Sequence, residues 1–369
     1  MKPAFLTTSF LEKQQNSGIS NAIYLVIKYL YEKKGIKSRV FAPVQQWGKK
    51  NADREFVSIE RFSSSRLFNF DFSLSAKKII KKSYEKNVFD IIHSYHFGFF
   101  PATIGFEFAR ERNLPHFFTT AYHPPNTAIK KKLIYIYNLT QGKRILSGSD
   151  VVMPFNKNEK RQLSCYSRGN YRIIPCPVNN DIFFPRKDKF HRKTITYIGS
   201  MLPWKGPQIA LDIFEGISKE RKDVDFILIG KGPMLQYIRN RAKGRIRVVS
   251  PESSEKVSEI LAMSEVVVCP TKYESFGSAI AESMMCGTPV VSTNVGAVPE
   301  TIGPGGIISE YGDWNAMKKN IEFLIDNEKE RKRLSNMGIK YSSDYEYRKV
   351  GRSIYNEYKN GLNQGKFLQ

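Results

Sequence analysis

The sequence predicts an α/β protein built from two doubly wound domains that face each other across a cleft. Three observations carry that expectation. The chain has 369 residues, more than one hydrophobic core usually serves, so two domains of about 150 to 200 residues each are the natural division. Short runs rich in Val, Ile and Phe alternate with longer segments of helical period, the pattern of parallel strands with helices on both sheet faces. Several of these runs end in glycine or a small polar residue just before a helix, where parallel sheets bind ligands beyond their carboxyl ends.

In chain order, "AFLTTSF" reads as the first strand and is followed by a helix from about Ile19. "SRVFAP", "FDIIHSY", "HFFTTAYH" and "DVVMPF" continue the first series. The second begins near residue 193 with "KTITYIGS", then the helical "PQIALDIFEGI", the strands "VDFILIGKGP" and "RIRVVSP", the helical "KVSEILAMSE", the strand "VVVCP", and finally "GGIIS". Between the series, "CPVNNDIFFPRKDKFHRK" has the Pro, Asn and charge content of a linker. The expected division is an amino-terminal domain over 1–178, a linker over 179–192, a carboxyl-terminal domain over 193–342, and a helix over 343–369 that packs back toward the first domain.

Composition narrows the partners. Against 35 Asp and Glu stand 58 Lys and Arg, a formal charge of +23, which favours anionic partners such as phosphates, nucleic acid or an acidic membrane surface. The four cysteines are far apart and suggest neither a zinc site nor a disulfide framework, which fits a reducing cytosol. The amino terminus lacks the apolar core of a signal peptide, and no stretch reaches about eighteen uninterrupted apolar residues. The expected location is cytoplasmic, on the inner face of a membrane if it meets one.

"ESFGSAIAESMMCGTPVV", residues 274 to 291, places Glu274 and Glu282 in a stretch that otherwise reads as buried. Were they an acid and base pair, about six helical residues at about 1.5 Å each would separate them by roughly 8 to 10 Å. That is too far for a retaining hydrolase and marginal for an inverting one. The pair fits better as two holds on one elongated ligand, with the N-H groups of Ser275, Phe276, Gly277 and Ser278 at a helix start offering a place for a diphosphate.

This stretch resembles the retaining glycosyltransferases of family 4, which have the GT-B fold of two Rossmann-like domains and use nucleotide sugars. The shared signature is E-x7-E, a "GTPVV" turn and a further "G-x-x-P-E", here "ESFGSAIAE", "CGTPVV" and "GAVPETI". The resemblance implies that Glu274 holds hydroxyls of the donor sugar and Glu282 the ribose diol. "YIGSMLPWKGPQIALDIF" resembles the segment whose basic pair grips the diphosphate; Lys205 matches the lysine, while Ser200 stands where arginine is usual. "LIGKGP" brings Gly230 and Gly232 near the base, or is a plain turn between strand and helix. In the amino-terminal domain, "NSGISN" matches the loop over the diphosphate through Gly18, which equally reads as a capped helix start. His123, at the end of "FFTTAYH", matches an active-site histidine that contacts the donor sugar. His93 and His96 in "IIHSYHFG" resemble a further family segment with one residue extra, and read either as core or as acceptor lining.

The same resemblance implies front-face transfer to an acceptor hydroxyl, with a donor phosphate oxygen helping to remove its proton. It implies no cofactor and no obligatory metal, the donor being a UDP or GDP sugar; Asp223 and Asp225 in "KDVDF" form a D-x-D only superficially. Two basic helical segments in the amino-terminal domain suggest a peripheral membrane surface and a glycan or lipid-linked acceptor. One carries Lys77, Lys78, Lys81 and Lys82 around an apolar face of Ala76, Ile79, Ile80 and Tyr84. The other carries Lys130, Lys131 and Lys132 ahead of a face of Ile129, Leu133, Ile136, Tyr137 and Thr140. Polybasic segments are attracted to anionic lipid by about 1 kcal/mol per charge. Alternatives are a nucleotide-sugar epimerase or sugar phosphorylase of the same fold, an inactive binding relative suggested by Ser200, and a nucleic-acid-binding protein. No nucleic-acid module is visible, and none is expected as a partner.

Overall fold

The computed structural model describes residues 1–10, 18–44, 55–63, 65–67, 70–124, 134–188, 190–251 and 253–365. The chain forms two compact units, Met1–Pro177 with Tyr347–Gln369, and Val178–Glu346.

In the first unit β1 (Pro3–Leu6), β2 (Ser38–Pro43) and β3 (Val57–Phe62) form half of a parallel sheet. A small antiparallel pair, β4 (Ser65–Leu67) and β5 (Phe70–Phe72), interrupts the series. The sheet resumes with β6 (Ile91–Tyr95), β7 (His116–Thr119) and β8 (Val151–Met153), giving the spatial order β3-β2-β1-β6-β7-β8. The crossovers are α1 (Gly18–Lys34), α2 (Leu74–Glu85), α3 (Phe100–Glu111), α4 (Lys143–Gly148) and α5 (Lys157–Ser164). α1 buries Ile23, Val26, Ile27 and Leu30, the spacing of one helical face. It stops at Gly35, whose φ of 64° is left-handed and whose N-H closes the last turn onto Tyr31 O at 2.9 Å.

The second unit repeats the plan. Its strands are β9 (Lys193–Ile198), β10 (Val224–Ile229), β11 (Ile246–Val249), β12 (Val266–Cys269), β13 (Val290–Thr293) and β14 (Gly306–Ser309). They pair in parallel in the order β11-β10-β9-β12-β13-β14. Between them run α6 (Pro207–Glu220), α7 (Leu235–Arg241), α8 (Ser254–Met263), α9 (Ser278–Met285) and α10 (Val298–Ile302), followed by α11 (Trp314–Asp326) and α12 (Glu328–Ser342). In each sheet the chain reverses direction beside its first strand, between β1 and β6 and between β9 and β12. In doubly wound sheets the crevice beyond the strand ends at that reversal is where ligands bind.

The last helix, α13 (Tyr347–Gly365), belongs to the first unit. Tyr347, Val350, Ile354 and Tyr358 enter the core shared by α1 and the sheet. A Cβ at Gly351 would lie 2.4 Å from the Tyr29 ring, and one at Gly361 2.7 Å from Phe117, so both glycines permit close helix packing. The linker-like segment groups with the second unit, where Ile182 O accepts from Ser258 Oγ at 2.6 Å and Phe190 packs against Ile227, Ile229 and Ile260.

The basic faces part ways. α2 buries Ala76 and Ile80, packs Ile79 and Tyr84 at the edge of the same cluster, and leaves Lys77, Lys78, Lys81 and Lys82 exposed, as its spacing suggests. Two of the four are paired, Lys77 with Glu111 at 2.5 Å and Lys81 with Glu85 at 3.7 Å. The second face differs from the expectation. Ile136 and Thr140 are exposed, whereas Asn138 and Gly142 are buried and Tyr137 packs on Phe97. Residues Asn138–Gly142 form a π-turn, whose i to i+5 bonding takes one more residue per turn and rotates the inward face. Ile129, Leu133 and Lys130, Lys131 and Lys132 lie outside the described residues.

Candidate functional site

The second unit brings Lys205 and Glu274 together beyond the carboxyl ends of β9 and β12. After β9 the chain runs through Ser200 to a short 3-10 turn, Pro203–Lys205, that ends at Gly206 with φ 71°. A Cβ there would lie 2.3 Å from Pro270 O, so glycine lets this turn sit directly on the loop after β12. The two loops are tied by Lys272 N-H to Trp204 O at 2.8 Å and by Thr271 Oγ1 to the same carbonyl at 3.2 Å. That fixed geometry brings Lys205 Nζ to 2.6 Å from Glu274 Oε1, both side chains being largely shielded from water. Glu274 is held from behind as well: its carbonyl accepts from Ala297 N-H at 2.9 Å, and a Cβ at Gly296 would come within 2.4 Å of it.

The helix after Glu274 starts later than expected. Gly277 adopts φ 90°, a left-handed conformation that ends the loop, so α9 begins at Ser278, just past the two starts expected, Ser275 and Gly277. Ile280 N-H already bonds Gly277 O at 2.9 Å, and Glu282 lies little more than one turn into the helix. Only half of the eight steps between the carboxylates are therefore helical, and the rise expected from a longer helix does not apply. Phe276 turns its ring into the core, edge-on to Tyr345 at 5.1 Å, which confines any part it plays at the helix start to its backbone. The Glu282 carboxyl has no hydrogen-bond or ion-pair partner among the described residues, and loss of hydration pushes it up to about 8. Burial raises the pKa of the Cys269 thiol at the end of β12, and nearby Glu274 and Glu282 add to the rise while Lys205 opposes it.

Gly230 and Gly232 have an internal explanation. A Cβ at Gly230 would fall 1.9 Å from Gly199 O, and one at Gly232 2.7 Å from Met201 O, so both allow the turn after β10 to carry the loop that bears Ser200. Met201 N-H bonds Lys231 O at 2.8 Å and fixes that contact. Asp223 and Asp225 are occupied by arginines, Arg221 at 2.9 Å and Arg192 at 3.2 Å.

In the first unit the strand ends bring together Thr8, His96 and His123. Gly18 is exposed at the first position of α1, and Ser17 before it lies outside the described residues. His93 is core: fully buried in β6, it contacts Tyr358 Oη at 2.6 Å and Thr119 Oγ1 at 2.8 Å, and burial lowers its pKa well below the usual histidine range. His96 sits past the strand end with φ 72°, its Nδ1 3.1 Å from Thr8 Oγ1. Burial, reinforced by nearby His123, lowers it to about 3, so it is neutral. His123 follows Ala121, whose φ of 42° is unusual for a residue with a Cβ. The segment between is gripped by Glu159, a residue that reading for motifs passed over. Its signal was the capping pattern N-x-x-E in "NKNE".

Against known proteins, residues 179–341 match the family described as Glycosyl transferases group 1. An uncharacterized glycosyltransferase of Methanocaldococcus jannaschii is 28% identical over 296 residues, 77% of this chain and 80% of that one. Among solved structures, sucrose-phosphate synthase from Thermosynechococcus elongatus aligns over 98% of this chain and 99% of its own with a TM-score of 0.81 and 17% identity. Anabaena HepE in complex with UDP-glucose aligns over 98% and 100% with a TM-score of 0.74 and 15% identity. At such identities the structural likeness speaks for the fold.

Proposed function

Because the chain belongs to the group 1 glycosyl transferases and has the GT-B fold, we propose that it moves a hexose-type sugar from a UDP or GDP sugar to an acceptor hydroxyl with retained configuration. The observation that carries this reading is the 2.6 Å contact of Lys205 with Glu274 beside the amino terminus of α9. A diphosphate at that helix start meets the positive end of the helix dipole and draws the Lys205 ammonium to itself. Lys205 then neutralises the charge that grows on the departing nucleotide, a contribution worth about 10²- to 10³-fold when a comparable donor is removed elsewhere. Glu274, released from the lysine, accepts from hydroxyls of the sugar, and Glu282 accepts from the ribose diol. His123 of the first unit hydrogen-bonds the transferred sugar.

With Ser200 in place of a second cation, Lys205 and the helix start supply the diphosphate contacts. A donor phosphate oxygen takes the acceptor proton, so the reaction calls for no protein base and no metal. The exposed lysines of α2, together with exposed Tyr135, Ile136 and Leu139, favour a lipid-linked or glycan acceptor at an anionic, cytoplasmic membrane surface. Among the described residues no helix is long and apolar enough to cross a membrane.

Calorimetry with UDP, GDP and their sugars is the test of the donor. The substitution Glu274→Ala should then abolish transfer while circular dichroism and the melting temperature stay close to wild type. A folded Glu274→Ala variant that still transfers sugar removes the central claim. Turnover that needs free phosphate points to a phosphorylase, and epimerisation without an acceptor points to an epimerase.

A further inference from the structure

Glu159 is 2% exposed, and every hydrogen bond to its carboxylate comes from a neutral donor. Its Oε1 accepts from Thr120 Oγ1 and from Tyr122 N-H, both at 2.6 Å, and its Oε2 from Phe155 N-H at 2.6 Å. The amino terminus of α5 does not depend on it, since Asn156 Oδ1 already accepts from Glu159 N-H at 2.8 Å. Two of the three bonds therefore leave the helix for the loop after β7, and they take hold on either side of Ala121. That residue is in the left-handed region at φ 42°, a conformation that costs about 1–3 kcal/mol and persists only where the surroundings impose it. Held this way, Ala121 O lies 3.2 Å from His123 Nδ1. A carbonyl can only accept, so this contact favours the tautomer that carries a proton on Nδ1.

A buried carboxylate without a cation is a costly way to pin a loop. Here the two oxygens, each with more than one lone pair, take three donors that an amide could not all satisfy, because its NH2 would face one N-H. We propose that Glu159 is a positioning residue: by clamping Thr120 and Tyr122 it fixes the strained turn at Ala121, and with it the orientation and tautomer of His123. The proposal rests on the reading that His123 contacts the transferred sugar.

The test uses the full-length chain with Glu159→Gln, Glu159→Ala, Thr120→Val and Thr120→Ser, and two readouts. The first is the imidazole signal of His123 in carbon-proton correlation spectra, assigned among only five histidines by its loss in His123→Asn. The second is hydrolysis of UDP-glucose, UDP-N-acetylglucosamine and GDP-mannose, whichever the wild type accepts. The expected result is a shifted His123 signal in Glu159→Gln and Thr120→Val. Turnover falls about 10-fold in these and about 100-fold in Glu159→Ala, the scale of loss that follows a misplacement of about 1 Å. Donor KM stays within about 2-fold, since the proposed diphosphate and ribose contacts belong to the second unit, and Thr120→Ser, which keeps its hydroxyl, behaves as wild type. Folded Glu159→Gln and Thr120→Val proteins with an unchanged His123 signal and unchanged turnover overturn the proposal. If Glu159→Ala does not fold, those two variants decide. If the wild type hydrolyses no donor of the panel, the catalytic reading of His123 fails, and the His123 signal alone decides whether Glu159 orients it.

Discussion

Glu282 shows how one half-buried carboxyl ties ligand binding to pH. With its carboxyl raised to about 8 by lost hydration, it is mostly protonated at neutral pH in the unliganded protein. A ribose diol donates to the ionised form and so lowers the pKa again. Nucleotide binding at about pH 7 is therefore expected to release protons, and affinity to rise by up to about 10-fold per pH unit as pH climbs toward 8. Calorimetry in buffers of different ionisation enthalpy measures the release directly; a buffer-independent heat would refute it. Stability moves the opposite way. A carboxyl raised in the folded state contributes stability that is complete below its unfolded value near 4.5 and is lost as pH rises through about 8. Unliganded wild type should lose stability relative to Glu282→Gln across that window. Residue by residue, Glu274, Glu282 and Lys205 were singled out because the segments that carry them resemble a known family. Glu159 was not, because its three donors come from residues 4 to 39 positions away.

The helix α9 is set by one glycine. Gly277 holds φ 90°, and Gly277→Ala should cost about 1–3 kcal/mol in denaturant unfolding. It should also weaken nucleotide binding, because the helix start moves with it; an alanine variant with unchanged unfolding and unchanged affinity would show that the left-handed residue is dispensable. The periodicity of apolar residues located α9 but left its start between Ser275 and Gly277, since a period of 3.6 does not register where the backbone reverses its sign of φ. The strand β3 was missed for a related reason. "VSIERF" carries Glu60 and Arg61 into an edge position, where Glu60 pairs with Arg39 and the Arg61 guanidinium reaches Phe10 O at 2.6 Å. Charges that neutralise each other on the sheet dilute the apolar alternation that marks a strand.

The two units differ in how they close. The first is completed only by α13, whose Tyr347, Ile354 and Tyr358 are buried in its core and whose Tyr358 hydroxyl satisfies His93. Removing residues 347–369 should abolish cooperative unfolding of the first unit, because it uncovers that apolar cluster and strands a buried imidazole. Nucleotide binding by the second unit should persist in calorimetry; a truncated chain that melts as wild type does would contradict this. The excess of basic residues acts on the molecule as a whole. With a formal charge of +23, binding to anionic vesicles should be measurable by co-sedimentation at low salt. It should fall steeply as salt rises toward about 0.5 M, and neutral vesicles should retain little. Equal retention on both vesicle types would count against an electrostatic membrane surface.

The doubly wound class and the two series of strands follow from the order of residues, whereas Glu274, Glu282 and Lys205 were named through a family resemblance and the contact of Lys205 with Glu274, 69 positions apart, is made only by the fold. Strand and helix periods are local properties that a chain carries before it folds. The rest depended on contacts between distant segments. That His93 is core while His96 stands at a strand end, that the π-turn at Asn138–Gly142 exposes Ile136, and that Gly230 and Gly232 make room for Gly199 and Met201 are matters of which backbone meets which. So is the grip of Glu159 on the His123 loop. Burial and close approach are properties of the folded core, and no spacing along the chain encodes them.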